Sequence, residues 1–224
     1  MKVLPILALV ITSVLTAQAD VVIEQKVEST KVNGIETMKI KGDLVRMEMP
    51  NPSGQATVLL NLKTGEATVL SPAQKIALKT DLNATAKAAM ARQKAAGNDL
   101  TKFDKPKATG VTEKIGDYTA DVYEYTLGQN SGKIWAAKDF PNADVFMRER
   151  RRISQAFSVG FDTSKIDVPG VIVKVQIITP TGTVTKTLIT AKEQDVPETE
   201  FAVPDGYAER KLPTVPEAAP AAGK

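Results

Sequence analysis

The sequence predicts a mainly β protein of the α+β class, with one strongly curved antiparallel sheet and two helices against one face. Two observations predict this fold. Apolar and polar residues alternate in short runs separated by turn residues, which is the pattern of half-buried antiparallel strands. Two helical stretches interrupt about nine or ten such strands, without the regular strand-helix alternation of a parallel sheet. No internal repeat or domain boundary is visible in the 224 residues, so we expect one folded domain.

The first part of the folded region is predicted to be a meander of strands. Alternation runs from Asp20 to Leu78. Asn33-Gly34 is predicted to supply the left-handed backbone angles of a tight hairpin turn. The segment from Pro50 to Gly54 is predicted to end a strand, because proline has no N–H for the ladder. Lys63-Thr64-Gly65 predicts a further turn.

The first helix is predicted over residues 83–97. This stretch is rich in alanine and lysine and ends at a glycine, which favours a helix. Its apolar face carries only two large residues, Leu82 and Met90, so we expect it to dock weakly. Residues 102–112 contain Pro106 and Gly110 and are predicted to be a connector.

Strands resume after the connector. They are predicted over residues 118–127, 133–137, 171–179 and 183–190, with a last short strand near residues 201–203. Residues 208–224, rich in proline and alanine, are predicted to be a disordered tail, because they cannot bury enough apolar surface to fold.

The second helix is predicted from Ala143 to about Val159, with Asn142 as its N-cap. Its apolar residues Phe146, Ile153 and Phe157 share one helical face. The same helix carries a dense cluster of arginines between residues 148 and 152. A solvated helical face and a docking surface for anionic groups both fit this cluster.

Two residue types are absent, and their absence excludes several chemistries. The chain has no cysteine and no histidine, so disulfides, thiolate metal sites, Ser-His-Asp catalysis and imidazole acid-base catalysis are excluded. The net charge of +3 is too small to indicate nucleic-acid binding. We therefore predict no enzymatic activity, no catalytic residues, no cofactor and no metal site.

Residues 1–19 have the pattern of a secretory signal peptide. Lys2 precedes an apolar run from Val3 to Leu15, and Ala17 and Ala19 form a small-residue cleavage pattern. The apolar run is shorter than the ~20 residues of a membrane span. We predict cleavage after Ala19 and a periplasmic or secreted protein. It would not be a lipoprotein, because no cysteine can carry the lipid, and no transmembrane segment is expected in the mature chain.

Several motifs resemble those of a known family. Gly116-Asp117-Tyr118 leads into Val122-Tyr123-Glu124-Tyr125, and Lys133-Ile134-Trp135 and Asp139-Phe140-Pro141 follow. The segment from Phe201 to Tyr207 is similar to a Phe-x-Val-Pro-x-Gly-Tyr close. Together these resemble a family of exported bacterial proteins, a domain of unknown function in the LolA/LppX-like outer-membrane lipoprotein carrier superfamily.

The resemblance implies a single LolA-like half-barrel domain over residues 20–207. Such a domain is an incomplete β-barrel with two helices covering its concave face, and characterised relatives hold lipids or the acyl chains of lipoproteins. Arg46 is a candidate, on its strand position alone, for the arginine with which the carrier grips its ligand.

We predict a non-enzymatic binding protein for a hydrophobic ligand, a lipid or an acyl chain. The candidate pocket and lid residues are apolar residues of the alternating strands and of the second helix: Val45, Met47, Met49, Val58, Leu60, Trp135, Phe146, Ile153 and Phe157. The alternative is a ligand-free envelope module that docks a protein partner through the arginine surface of Arg148, Arg150, Arg151 and Arg152. An enzyme using dispersed Asp, Glu, Lys or Tyr side chains is the third interpretation.

Overall fold

The computed structural model describes residues 19–99, 102–156 and 166–212. Within these residues the protein has one twelve-stranded sheet and two α-helices. The strands are β1 Val21–Ser29, β2 Asn33–Lys41, β3 Leu44–Asn51, β4 Gly54–Asn61, β5 Glu66–Ser71, β6 Ile76–Asp81, β7 Phe103–Ile115, β8 Tyr118–Leu127, β9 Asn130–Ala137, β10 Val171–Thr179, β11 Gly182–Glu193 and β12 Ala208–Lys211. The helices are α1 Leu82–Ala95 and α2 Ala143–Ala156, and a 3₁₀ turn spans Glu198–Phe201. The mainly β prediction is confirmed.

The sheet consists of two meanders joined by one long-range pairing. Its strand order is β12-β6-β5-β4-β3-β2-β1-β11-β10-β9-β8-β7. Each neighbouring pair is antiparallel except β12 and β6, which are parallel. Strand β1 pairs with β2 on one side and with β11 on the other, which connects the N-terminal meander to the later strands. The sheet is unclosed, because its outer strands β12 and β7 do not pair with each other.

The sheet curves strongly around one face. Met38 on β2 and Tyr125 on β8 are five strand positions apart in the sheet, yet both line the same cavity. Five spacings of about 4.8 Å would place these strands about 24 Å apart in a flat sheet. The sheet therefore bends so that its concave face encloses the cavity.

The main core lies between the concave side of the sheet and α2. Val21, Ile40 and Val45 are almost fully buried there and are direct neighbours across β1, β2 and β3. Phe146 of α2 packs into the same cluster, with its ring edge-on to that of Phe140 at a centroid distance of 5.3 Å. Burial of these side chains holds α2 against the sheet, since apolar burial is the main favourable term in folding.

Helix α1 lies where the sequence predicted the first helix, and it docks weakly on the sheet, as expected. The Asp81 carboxylate caps its first turn by accepting a hydrogen bond from the Ala84 N–H at 2.9 Å. Leu82 is its one buried residue, and the rest of the helix is exposed or half-buried. Two helices were expected to cover the concave face, but of the two only α2 contributes to the cavity lining. The alanine-rich α1 has too few large apolar residues to bury a face.

The Asn33-Gly34 turn prediction is wrong. Both residues lie in β2 and pair with Glu28 and Val27 of β1, so neither is at the turn. The turn precedes them, and Ser29 stabilises it by donating its hydroxyl hydrogen to the Val32 carbonyl oxygen at 2.8 Å. A side-chain hydrogen bond thus replaces the left-handed residues that the sequence pattern suggested.

Residues 103–112 of the connector predicted over residues 102–112 are part of strand β7. This strand pairs with β8, and its register shifts between Asp104 and Lys107 and again between Ala108 and Thr112. The shifts coincide with Pro106 and Gly110, the residues that suggested a connector. An edge strand tolerates a proline because its outer N–H groups need no partner strand.

The C-terminal segment covers the outer face of the sheet instead of forming the short strand predicted near residues 201–203. Val203 and Tyr207 pack on a small outer cluster around Leu59 and Leu70. Ala208–Lys211, predicted to be disordered, form β12 beside β6. Four consecutive backbone pairings compensate for the weak apolar content of β12. Residues 213–224 of the predicted tail, and residues 1–18 of the predicted signal peptide, lie outside the described residues.

Candidate ligand-binding cavity

A cavity of about 430 Å³ lies between the concave face of the sheet and α2. Its walls come from β1, β2, β8, β9, β10, β11 and α2, and most of its lining side chains are aliphatic. The sheet contributes Ile23, Met38, Ile40, Tyr125, Leu127, Ile134, Val171, Ile172, Val175, Ile177, Leu188 and Ala191. Direct partners in an antiparallel ladder share a face of the sheet. The pairs Ile23–Met38 and Ile134–Val175 are such partners, so the register itself aligns these apolar side chains.

Helix α2 closes the cavity with one of its faces. Phe146, Arg150 and Ile153 line it at positions i, i+4 and i+7, together with Met147 and Ser154. This spacing places the side chains along one side of the helix. The amphipathic pattern that predicted the helix therefore also selects the residues that face the cavity.

One end of the cavity is shaped by a close approach of Tyr125 to the backbone of β9. A Cβ atom on Gly132 would lie 2.7 Å from the Tyr125 ring and 2.1 Å from the Gln176 carbonyl oxygen. Only glycine leaves room for the ring at this position. The surrounding apolar groups raise the pKa of the Tyr125 hydroxyl, because burial disfavours the charged phenolate.

Among the described residues, few polar side chains reach the cavity, and Arg150 is the one of them that carries a charge. Gln25 lines the cavity from β1, and Arg150 and Ser154 line it from α2. Within residues 19–99, 102–156 and 166–212, Arg150 forms neither a hydrogen bond nor a salt bridge. Desolvation lowers the pKa of its guanidinium, but arginine keeps its proton in proteins. A positive charge therefore borders an apolar space.

The flank of α2 next to its cavity-facing side is held by a buried ion-pair network. Glu149 is only 1% exposed. Its carboxylate accepts hydrogen bonds from Arg148 Nε at 3.0 Å and from Arg152 Nη1 at 2.8 Å. Arg152 also donates to the Asp43 carboxylate at 2.7 Å in the turn between β2 and β3. The network ties α2 to the sheet beside the cavity.

Comparison with known proteins places the chain in a family. Residues 21–207 match the family described as "Domain of unknown function (DUF4412)". The chain belongs to the DUF4412 family. The match confirms the expected domain of unknown function, whereas membership in the LolA/LppX superfamily and export stay predictions. No curated protein matches this chain.

Solved structures similar to this DUF4412 chain include PNGF-II in two space groups. The structure in the C2 space group has a TM-score of 0.40 and 11% identity, and the match covers 87% of this chain and 31% of that one. The structure in the P21 space group has a TM-score of 0.39 and 10% identity, with coverages of 87% and 32%. The chain spans about a third of the length of these structures. At these TM-scores the likeness establishes neither a shared fold nor a shared activity.

The strand residues predicted for the pocket lie in the DUF4412 core beside the cavity. Val45 and Leu60 are almost fully buried, and Met47 and Val58 are partly buried against the same cluster. Met49 is half-buried near the end of β3. They share the concave face with the cavity residues, because Val45 pairs with Ile40. The cavity, however, is centred on β1, β10 and β11 and does not reach them.

Trp135 is buried but does not line the cavity. Its indole Nε1 donates a hydrogen bond to the Glu113 carboxylate at 2.8 Å, and the Lys174 Nζ atom lies 4.3 Å from the ring centroid. Ile134, the residue before it, faces the cavity instead. Trp135 packs in the main core cluster, which also holds Val122 and Phe146.

Arg46 lies on the outer side of the sheet. Its guanidinium pairs with the Glu48 carboxylate at 2.6 Å and donates to the Glu200 carbonyl oxygen at 3.0 Å. It thus holds the 3₁₀ turn against β3, and it has no contact with the cavity. The four predicted arginines of α2 have different surroundings. Arg148 and Arg152 pair with Glu149. Arg151 is exposed, and Arg150 lines the cavity.

Phe146 and Ile153 are the predicted lid residues that the structure places at the cavity. Phe157 lies outside the described residues. The strand walls at β1, β10 and β11 were missed as pocket elements. Their alternation identified the strands, but the pairing of β1 with β11 joins residues far apart in the chain, which no local pattern encodes.

No group of three or more Asp or Glu side chains in the described ranges is arranged to hold a metal ion. Among the same residues, no helix is both long and apolar enough to cross a membrane.

Proposed function

We propose that this protein is a non-enzymatic binding protein that holds a hydrophobic ligand, a lipid or an acyl chain, between α2 and the concave face of its sheet. The observation that carries the proposal is the cavity of about 430 Å³ with a mainly aliphatic lining. Ligand sites of small molecules commonly measure about 300–1,000 Å³ and are mainly apolar. An acyl chain in this space would regain the dispersion contacts that the lining side chains lack.

The proposal includes the type of fold and the compartment. An unclosed, curved sheet with a helix across its concave face is consistent with a LolA-like half-barrel. Asp20 is buried and β1 begins at Val21, directly after the cleavage position that the sequence predicts. We propose export to the periplasm or beyond, with cleavage after Ala19.

The test is a displacement assay with a neutral ligand. The purified protein is loaded with the fluorescent probe N-phenyl-1-naphthylamine, and dodecan-1-ol is titrated against it. A hydrophobic site predicts saturable probe binding that dodecan-1-ol reverses. Mass spectrometry of the protein purified under native conditions then shows whether a lipid copurifies. Absence of saturable probe binding, together with a protein free of lipid, contradicts the proposal.

A matched pair of variants locates the binding. Ile177 lines the cavity, whereas Ile178, the next residue of β10, is 42% exposed and points away. Ile177→Trp places an indole ring in the cavity, and Ile178→Trp adds the same ring to the outer surface. Loss of room for two or more methylene groups, each worth about 0.8 kcal/mol, predicts binding at least ~10-fold weaker for Ile177→Trp. Equal binding by the two variants would place the probe elsewhere.

A further inference from the structure

We propose that the ligand is an amphipathic anion, a single hydrocarbon chain with an acidic head, and that Arg150 binds this head. The inference rests on the proposed function, since it needs an apolar chain in the cavity. It adds a charge requirement that the apolar lining alone does not impose. The guanidinium fork binds carboxylate and phosphate groups with two parallel hydrogen bonds, so both heads belong to this ligand class.

The first argument is the difference between Arg150 and its neighbours on the same helix. Arg148 and Arg152 both pair with the buried Glu149, at 3.0 and 2.8 Å. Arg150 points to the cavity side of α2 and has no hydrogen-bond or ion-pair partner in the described part of the chain. A charged group among apolar side chains is costly unless it is paired. An anionic head at this position would supply the missing partner.

The second argument is the placement of polar groups around the cavity. Ser154 lies one turn after Arg150 on the same face of α2, and Gln25 lines the cavity from β1. Their hydroxyl and amide hydrogens can donate to an oxygen-rich head bound at Arg150. The nearest acidic residue in the sheet register, Glu36 opposite Gln25, already pairs with Lys186 at 2.6 Å. The polar side chains of the cavity therefore favour an acidic head over a basic one.

The third argument is that the rest of the lining suits a chain. Aliphatic residues from β1, β10 and β11 make up most of the remaining lining, as at Ile23, Val175 and Leu188. A ligand with its head at Arg150 would bury its tail against these side chains. Arg150 would thus fix the orientation of the chain, and the aliphatic lining would supply most of the affinity.

The experiment compares four ligands of equal chain length on the unmodified protein and on variants of α2. Dodecanoate, dodecyl phosphate, dodecan-1-ol and dodecyltrimethylammonium compete for bound N-phenyl-1-naphthylamine below their aggregation concentrations. Hydrogen bonds to charged groups contribute about 1.5–3 kcal/mol, so the anions should bind about 10- to 100-fold more tightly than dodecan-1-ol. The relative affinities of dodecanoate and dodecyl phosphate then show which acidic head the site prefers.

The variants assign the preference to one residue. Arg150→Gln should remove the preference for anions, measured as the ratio of the affinities for dodecanoate and dodecan-1-ol in the same variant. Arg151→Gln removes the same charge from the exposed face and should retain the preference. Arg150→Lys keeps the charge but loses the planar fork, so it should retain part of the preference. Circular dichroism and thermal melting confirm that each variant is folded.

The outcomes separate the two proposals. Equal affinity of the unmodified protein for dodecanoate and dodecan-1-ol overturns the inference and leaves the hydrophobic site standing. A preference for anions that persists in folded Arg150→Gln also overturns it, because another group would then hold the head. Failure of all four ligands to bind overturns the proposed function itself. The comparison on unmodified protein decides the inference even where a variant does not fold.

Discussion

The buried carboxylate of Glu149 should control how firmly α2 closes the cavity. We expect Glu149→Gln, which keeps the shape of the side chain and removes its charge, to destabilise the protein. Glu149 is 1% exposed and accepts hydrogen bonds from two arginines. A charge-assisted hydrogen bond contributes about 1.5–3 kcal/mol and a neutral one about 0.5–1.5 kcal/mol. Replacing two of the former by two of the latter costs about 2–3 kcal/mol.

A second effect acts in the same direction. The glutamine amide has one oxygen and one NH₂ group, and the NH₂ group would face an arginine N–H that also donates. One buried donor then lacks an acceptor, which adds about 1–3 kcal/mol and raises the total cost to about 3–6 kcal/mol. The arginines themselves lose less, because the Arg148 side chain is 48% exposed and the Arg152 side chain keeps its bond to Asp43.

The assay is urea denaturation followed by circular dichroism, with hydrogen exchange of α2 as a local measurement. The free energy of unfolding in water should be lower in Glu149→Gln than in the unmodified protein by the amount given above. The substitution should also increase the hydrogen-exchange rates of the α2 amides more than those of the β1 amides. Arg151→Ala is the control: it removes an exposed arginine of the same helix and should change the free energy by less than about 0.5 kcal/mol. A Glu149→Gln protein as stable as this control would refute the reasoning that the network holds α2.

Two further results follow from other parts of the molecule. N-terminal sequencing of the exported protein should begin at Asp20, and a sequence that begins at Met1 would show that the signal peptide is not removed. The Tyr125 phenol should titrate above its ordinary pKa of 10.0, because burial favours the neutral form. Because this pKa is higher in the folded than in the unfolded protein, Tyr125 contributes its full stabilisation of the fold below about pH 10. That stabilisation is lost as the pH rises through the folded-state pKa. The difference in absorbance at 295 nm between the protein and Tyr125→Phe measures the transition, and a midpoint at or below 10 would contradict the expectation.

Local patterns predicted the helices and most strands well, because each depends on residues close in sequence. The periodicity that placed Phe146 and Ile153 on one face of α2 also placed them at the cavity. Predictions failed where residues typical of turns, such as proline, glycine and asparagine, lie within strands instead. Pro106 and Gly110 suggested a connector, yet they lie at irregularities of an edge strand. Asn33-Gly34 suggested a turn, yet both pair within the ladder.

The pocket residues predicted on the early strands lie on the concave face of the sheet, beside the cavity and outside its lining. Val45 and Leu60 point to the concave side, as their alternation requires, but they pack in the closed core. The cavity opens instead around β1 and its neighbours β10 and β11. Strand β11 follows β1 by more than 150 residues in the chain. The pairing of two strands so far apart cannot be predicted from a pattern of neighbouring residues.

The sequence by itself determined the class of secondary structure, the two helix positions, and the exclusion of histidine and cysteine chemistry. These follow from composition and from periods of two and 3.6 residues, which act within a few residues of the chain. The tertiary structure decided where the sheet bends, which aliphatic side chains line the cavity, and how the arginines of α2 differ. Arg150 and Arg152 look equivalent in the sequence. The helix turns about 100° per residue, so the two side chains point in different directions. The docking of α2 on the sheet brings Arg152 to Asp43 and Arg150 to the cavity.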